Sequence, residues 1–566
     1  MNDVLGRESK NYMPDTVMVD GNELRDKALV EHFNHQFVNA AAACNGTPST
    51  NSHHSVVTET IFLQPTDESE IYSTFMCLRN SKALDIHDLQ IRPVKYVLPI
   101  ISPVLAHIFN LILESGTFPE QMKTARVSVI FKGGERNLST NYRPISVLPI
   151  FSKGIEKIIF TRITQFFDKE NVITAAQYGF RKGRSTESAL LALKENILRN
   201  IENNLLTAAL FVDFSKAFDC LHHKVLLSKL QSYGIRGNCL ALLESYLSHR
   251  TQCVYVNGYM SSLLPITHGV PQGSILGPLL FNTYINDLVN IDATVQFIIY
   301  ADDSTILIPE YNVDRLIIKC NEVLQKLSIW SQLNVIKINT MKTKAMIFRA
   351  RNKPVEIHQS INFQCHNIEI VDVHKILGVH FSQNLSWDAH THYLRKKLSS
   401  VAGMISRCRR LLPVKAKLQV YNALFNSYLN YCSLVWATTT KTNLDKLHLL
   451  QKKVIRYIGN IDPTASTKDA FVSFNIIRVD NLYKYRLLQT FFFSSTEVKN
   501  LLSSLAFLTL RSTDIHTRSK DVWEIPHFRT YYKHQSLAHN LPSMLNMYQN
   551  TTRLNPKKLR TYFITL

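Results

Sequence analysis

The chain has 566 residues, 45% of them apolar and 10% aromatic but only 19% charged, enough core material for several domains or one large multi-lobed enzyme. That composition excludes a peptide module, a coiled coil, a collagen-like chain and a wholly disordered one. Lys and Arg number 64 against 44 Asp and Glu, a formal charge of +20, the balance of a protein that meets polyanions, with nucleic acid the leading partner.

Residues 1–60 read as a polar, linker-like N-terminal segment, with 44–54 a loop by composition and 29–38 a short amphipathic docking helix. The first residues, MNDVLGRESKNYM, lack the apolar stretch of a secretory signal. From 61 to 109 the pattern is mostly helical. The most apolar stretch, 97–113, is interrupted by Pro99 and Pro103 and falls short of the roughly 20 residues that span a bilayer, so it predicts a buried helix starting near Pro103 and no membrane. Residues 125–132 alternate and are β-branched, hence a strand, with a turn at Gly133-Gly134. Helical spacing follows at 155–167 and 185–202, then an apolar run at 207–213 suited to a buried strand and a helix over 275–288. Residues 295–300 and 304–308 are apolar strands about Ala301-Asp302-Asp303, the outline of a tight hairpin. Beyond about 390 the segments are long, basic, aromatic and helical. The fold class is therefore α+β, with a helical basic C-terminal region. Nine scattered cysteines without a C-x-x-C pair fit a reducing compartment.

Asp213 closes an apolar strand, and Asp302 and Asp303 sit at the hairpin tip. If those strands are sheet neighbours, three carboxylates converge, an arrangement that divalent cations must neutralise, and oxygen ligands favour Mg²⁺ or Mn²⁺. Two such ions about 3.5–4 Å apart form the clamp of in-line nucleotidyl transfer. Taken singly, Asp-Asp in a hairpin is ordinary turn chemistry and an Asp after a strand an ordinary helix cap. The loop HGVPQGSILGP at 268–278, with Gly269, Gly273 and Gly277, allows close backbone approach to a nucleotide before a helix start. Phe218, five residues after Asp213, can return its ring to the same place.

Together these segments resemble the reverse transcriptases of non-LTR retrotransposons, jockey-like or related LINE elements. The matching pieces stand in the family's order: FK at 131–132, NYRPISVL at 141–148, QYGFRKGRST at 177–186, FVDFSKAFDCLHH at 211–223, HGVPQGSILGPLLF at 268–281, YADD at 300–303, NTMKTKAMIF at 339–348 and ILGV at 376–379, with a weaker LQKKVIR at 450–456. The resemblance implies a right-hand polymerase of fingers, palm and thumb, with the reverse transcriptase over 110–385 (fingers and palm), 61–109 a helical extension of the fingers and 386–566 the helical thumb and C-terminal region. It implies that Asp213, Asp302 and Asp303 hold two Mg²⁺ ions, Mn²⁺ being a substitute. The nucleotide would be met by Lys132, Arg143, Phe214, Phe218 as steric gate, Gln272, Gly273, Tyr300, Ala301 and Lys342. Template and primer would be met by Phe180, Arg181, Lys182, Arg184, Leu377 and Gly378. The implied partners are an RNA template, a DNA primer, dNTPs and the element's own RNA, in the nucleus or the cytoplasm.

The sequence departs from the family in two places. KALDIHD at 82–88 stands where the family has a Gly-rich segment, and FKGGE at 131–135 departs from its basic turn. About 110 residues before the match are too few for the family's N-terminal endonuclease, so the chain reads as a 5′-truncated portion of a longer frame. A catalytically inactive nucleic-acid-binding relic and a maturase-like cofactor are the rival readings, and the intact aspartate set favours the polymerase.

Overall fold

The computed structural model describes residues 15–19, 21–42, 57–511, 522–548 and 555–566. They fall into two compact units, one from 1–177, 213–293 and 325–339, the other from 178–212, 294–324 and 340–566. In chain order the strands are β1 (Thr16–Val19), β2 (Asn22–Arg25), β3 (Thr124–Phe131), β4 (Tyr142–Val147), β5 (Leu206–Asp213), β6 (Arg250–Val256), β7 (Tyr259–Met260) and β8 (Leu264–Ile266). They continue with β9 (Gln296–Tyr300), β10 (Asp303–Glu310), β11 (Lys344–Phe348), β12 (Ile361–Phe363), β13 (His366–Ile370), β14 (Val373–Ile376) and β15 (Val379–Ser382). The helices that matter below are α1 (Asp26–Ala42), α2 (Glu68–Cys77), α3 (Ile91–Ser115), α4 (Ile150–Lys169), α5 (Thr186–Glu202), α6 (His223–Ser232), α7 (Gly237–Leu247), α8 (Gly277–Tyr284), α9 (Val313–Leu333) and α10 (Asp388–Arg407).

In the first unit, β3 is the centre of a sheet. It pairs antiparallel with β4 and parallel with β6, and β6 carries β7 and β8 at its other edge. The alternation of TARVSVIF puts Ala125, Val127 and Val129 inward. Residues 15–42 are more than the linker that their composition suggests. β1 and β2 form a hairpin and α1 lays Leu29, Val30, Phe33 and Phe37 on Val127, Val129, Val254 and Val256. Asn34 fixes the helix by donating to the Ser262 carbonyl at 2.8 Å and accepting from Gln252 at 3.0 Å. The docking helix expected over 29–38 is present and longer, Asp26–Ala42, whereas the hairpin before it was not expected. The 44–54 loop lies outside the described residues.

The helix expected to begin near Pro103 begins at Ile91, with Pro99 and Pro103 inside it. Each proline removes one intrahelical N–H, but Leu98, Phe109, Ile112 and Leu113 are buried along one face, and such packing, more than local propensity, sustains helices in proteins. The opposite face leaves Tyr96, Ile100 and Val104 exposed. α3 is long and apolar enough to cross a membrane by length and composition alone, a test that the core helix of a soluble protein also passes. Further on, Lys229 of α6, fully buried, is held by Asp287 at 2.6 Å, a pairing that a buried ammonium requires.

The second unit is built on a six-stranded sheet in the order β12-β13-β11-β5-β10-β9. β5 is buried from Leu206 to Val212, which is why its sequence is a continuous apolar run. Asp213, its last residue, is counted with the first unit. β9 and β10 form the expected hairpin, with Tyr300 opposite Asp303 and only Ala301 and Asp302 between them. Ala301 has φ 54°, the left-handed turn geometry of a two-residue connection. The core continues from α5 through Trp387, Leu394, Trp436 and Leu447 into the C-terminal helices. The helix predicted over 275–288 is shorter: α8 ends at Tyr284 and a 3₁₀ turn, Asn286–Ile291, follows. Asn286 breaks the helix because its side chain is taken by the Val172 carbonyl and the Thr174 N–H, both at 2.8 Å. Among the described residues seven cysteines are free thiols.

Candidate active site

In the first unit β5 ends at Asp213 and the chain turns at once. Phe214 is buried and bridges Ile338, while the Asp213 carbonyl accepts the Asn339 N–H at 2.8 Å and the Lys337 carbonyl accepts the Ser215 N–H at 2.8 Å. These backbone bonds fix where the Asp213 side chain leaves the strand. It is half-buried there.

The following turn, 218–221, is the platform for the Gly-rich loop. The Phe218 carbonyl accepts the Val270 N–H at 2.9 Å and the Leu221 carbonyl accepts the Gly269 N–H at 2.8 Å. The Gln272 amide donates to Asp219 Oδ1 at 2.7 Å. On its other side the loop lies on β4, where the Ser146 N–H donates to the Gln272 carbonyl at 2.7 Å. Gly273 adopts φ 130°, and a Cβ there would stand 2.4 Å from the Ser146 carbonyl; only glycine meets both conditions. β4 also carries Arg143, and Lys132 follows directly on its neighbour β3; both side chains are exposed. Phe218 is half-buried and its ring stacks on Phe281 of α8 with centroids 4.5 Å apart.

Burial pushes the Asp219 carboxyl above its ordinary range, against the Gln272 hydrogen bond and Lys216. His222 and His223 are pushed down by burial, and His268, whose ring lies 5.6 Å from that of His222, acts on both. His223 Nε2 meets the Gly269 carbonyl at 2.8 Å, a further tie between the turn and the loop.

The other residues singled out in the sequence lie in the second unit. Asp303 opens β10, the sheet neighbour of β5, and Asp302 precedes it in the turn; both are exposed. Tyr300 is half-buried and Ala301 buried, and Lys342 is exposed in the turn before β11. The Tyr178 N–H donates to the Ile299 carbonyl at 2.7 Å, which ties the 177–186 segment to the strand that carries Tyr300. Phe180 is 55% exposed in a left-handed turn (φ 55°) and Arg181 is half-buried. Arg184 lies over the Tyr178 ring at 4.8 Å, and Lys182 is paired with Glu497 at 2.9 Å. Leu377 and Gly378, both at positive φ, turn the β14–β15 hairpin, and the Tyr431 hydroxyl donates to the Leu377 carbonyl at 2.7 Å.

Among the described residues no group of three or more His, Cys, Asp or Glu side chains is gathered closely enough to hold a metal ion; carboxylates repel one another when no cation lies between them. Three contributors escaped the sequence reading: Asp219, Phe281 and Ser146. All three stand inside the quoted motifs: Asp219 five residues after Phe214, Phe281 at the end of HGVPQGSILGPLLF and Ser146 in NYRPISVL. Asp219 could have been suspected as a hydrogen-bond partner for a loop glutamine, whereas no local pattern marks Ser146, whose contacts are made by backbone.

Residues 130–381 match the family described as reverse transcriptase (RNA-dependent DNA polymerase). The chain is 29% identical over 377 residues to the RNA-directed DNA polymerase from mobile element jockey of Drosophila melanogaster, covering 64% of this chain and 41% of that protein. It is 28% identical over 393 residues to the probable RNA-directed DNA polymerase from transposon BS of the same species (65% and 41%). To the probable RNA-directed DNA polymerase from transposon X-element it is 26% identical over 408 residues (70% and 44%). The chain thus spans about two fifths of the length of these relatives. Residues 130–381 thus match the reverse transcriptase family, and the relatives to which the chain is similar are RNA-directed DNA polymerases of mobile elements.

Proposed function

We propose that the chain is an RNA-directed DNA polymerase that extends a primer 3′-OH with dNTPs, its fingers and palm within 110–385 and its thumb within 386–566. The observation that carries the reading is the double docking of the 268–277 loop, on the turn after Asp213 and on the strand bearing Arg143, in a chain whose residues 130–381 match this family. Asp213, Asp302 and Asp303 offer only hard carboxylate oxygen, which suits Mg²⁺ and admits Mn²⁺. Two such ions, when bound, supply a lowered pKa at the primer 3′-OH and charge stabilisation for the departing pyrophosphate.

The chain's own residues do the positioning. Lys132 and Arg143, an ammonium and a forked guanidinium, neutralise the triphosphate. Phe214 offers its carbonyl beside the phosphates and Lys342 a further charge. Gln272 and Gly273 form the wall of the base pocket, and Tyr300 and Ala301 flank the aspartate pair. Phe180, Arg181, Lys182 and Arg184 follow the template backbone, and Leu377-Gly378 holds the primer strand. The exposed Arg395, Lys396 and Lys397 of α10 extend the basic surface towards the hybrid.

Phe218 excludes the ribose 2′-OH by occupying its space, with Phe281 stacked behind it so that the ring cannot retreat. Phe218→Ala is expected to keep dNTP incorporation on a primed RNA template and to lower the dNTP-over-rNTP preference at least about tenfold. Steady-state incorporation of each nucleotide class measures it, and an unchanged sugar preference removes Phe218 from the gate.

A further inference from the structure

α4 carries a carboxylate that none of the roles above uses. Glu156 is fully buried, on a helix whose neighbouring residues Ile155, Ile158 and Ile159 are core. A carboxylate in such a place is unfavourable unless its oxygens are engaged. They are engaged by the Gly-rich loop: Oε2 accepts the Ile275 N–H at 2.7 Å and the Leu276 N–H at 3.3 Å, and Oε1 accepts the Ser152 hydroxyl at 3.0 Å. Arg250 of β6, itself 1% exposed, adds a positive charge that acts on Glu156 against the effect of burial, and it donates to the Tyr246 carbonyl at 3.1 Å.

We infer that Glu156 is a positioning residue for the nucleotide pocket: by holding Ile275 and Leu276 it fixes the C-terminal half of the loop on which Gln272 and Gly273 stand. The inference rests on the polymerase reading and goes beyond it. The first half of the loop is tied to the preceding turn and helix, Gly269 to the Leu221 carbonyl and to His223 and Val270 to the Phe218 carbonyl. Ser146 and Asp219 hold Gln272, and Glu156 holds the other half, three residues on. Ser274 ties the loop to itself, through the Pro271 carbonyl and the Gly277 N–H, both at 2.9 Å. Without Glu156 the segment could rotate about its Gln272 anchors, and Gly273, which has no side chain to wedge it, would move first. Such a displacement lowers nucleotide affinity before it alters primed-template binding, because the template segment at 177–186 is anchored elsewhere, through Tyr178 and the capping box of Ser185 and Ser188.

The test uses the full chain with Glu156→Asp, Glu156→Gln and Glu156→Ala. It reads KM for dTTP, kcat, the dissociation constant for primed RNA and the melting temperature of each. Glu156→Asp keeps the charge but withdraws the oxygens by one methylene, and should raise KM for dTTP about tenfold with primed-RNA affinity unchanged, since a shift of about 1 Å in a positioning group costs that order of rate or more. Glu156→Gln keeps a carbonyl acceptor for Ile275 and should recover KM to within about threefold of wild type. Should Glu156→Ala fail to fold, the Asp and Gln pair decides. A folded Glu156→Asp with wild-type KM overturns the inference. So does a rise in KM accompanied by a parallel loss of kcat, primed-RNA affinity and melting temperature, which marks a merely structural residue. Absence of incorporation by the wild type overturns the polymerase reading and this inference with it, whereas an active wild type with an unmoved KM in Glu156→Asp overturns the inference alone.

Discussion

Asp213→Asn is expected to lower nucleotide incorporation by about 1,000-fold or more, since under the proposed function it removes an anionic ligand of the divalent cations on which such a reaction depends. The substitution is nearly isosteric. The backbone contacts that place residue 213, the Asn339 and Ser215 hydrogen bonds and the Phe214 bridge to Ile338, do not involve its carboxylate. The fold and the affinity for a primed template should therefore survive. Single-turnover incorporation beside an electrophoretic binding assay measures both quantities. Incorporation within tenfold of wild type would remove Asp213 from the metal set.

Gly273→Ala is the second large effect, and it acts through sterics alone. The new methyl would lie 2.4 Å from the Ser146 carbonyl, a backbone atom of β4 that cannot swing away, and φ 130° is closed to a side-chain-bearing residue. The loop must leave β4, breaking the Ser146 to Gln272 hydrogen bond at 2.7 Å. Strain of this kind costs about 1–3 kcal/mol. Because the displaced atoms form the wall of the proposed base pocket, kcat/KM for dNTP should fall by about 100-fold while Phe218→Ala, on the facing turn, changes mainly sugar choice. Steady-state kinetics with a chemical denaturation curve separates the two contributions. Wild-type kinetics in Gly273→Ala would place the pocket elsewhere.

The strands that organise the two sheets were legible because their patterns have one physical origin each. Alternation in TARVSVIF reports a sheet with one buried face, the unbroken run LTAALFV a strand covered on both faces, and the tight Ala301-Asp302 connection a hairpin. The motif order gave the family. Less legible was whatever depends on distant partners. α3 runs through two prolines because its Leu98, Phe109 and Ile112 face finds a core, and α8 stops early because Asn286 is captured by Val172 and Thr174. The β1–β2 hairpin that precedes the expected docking helix was not foreseen, because the composition of residues 1–60 resembles a linker. At the site, chemistry-bearing side chains stood out in the sequence, but the parts that hold them did not. The loop is supported by a serine backbone, an aspartate read as part of a motif and a glutamate on an otherwise apolar helix face, and Phe218 by the phenylalanine stacked on it. Such residues are unremarkable in one dimension, since their meaning comes from a contact made more than 50 residues away.

The central claim is RNA-templated DNA synthesis at the aspartate site. Incorporation of labelled dTTP on poly(rA) primed with oligo(dT), with Mg²⁺, compared between the full chain and Asp302→Asn, tests it most directly. The account predicts extension of the primer by the wild type and at least about a 1,000-fold loss in Asp302→Asn, with both proteins binding the primed RNA alike. Binding by both without extension by either would contradict it and leave a protein that holds nucleic acid without copying it.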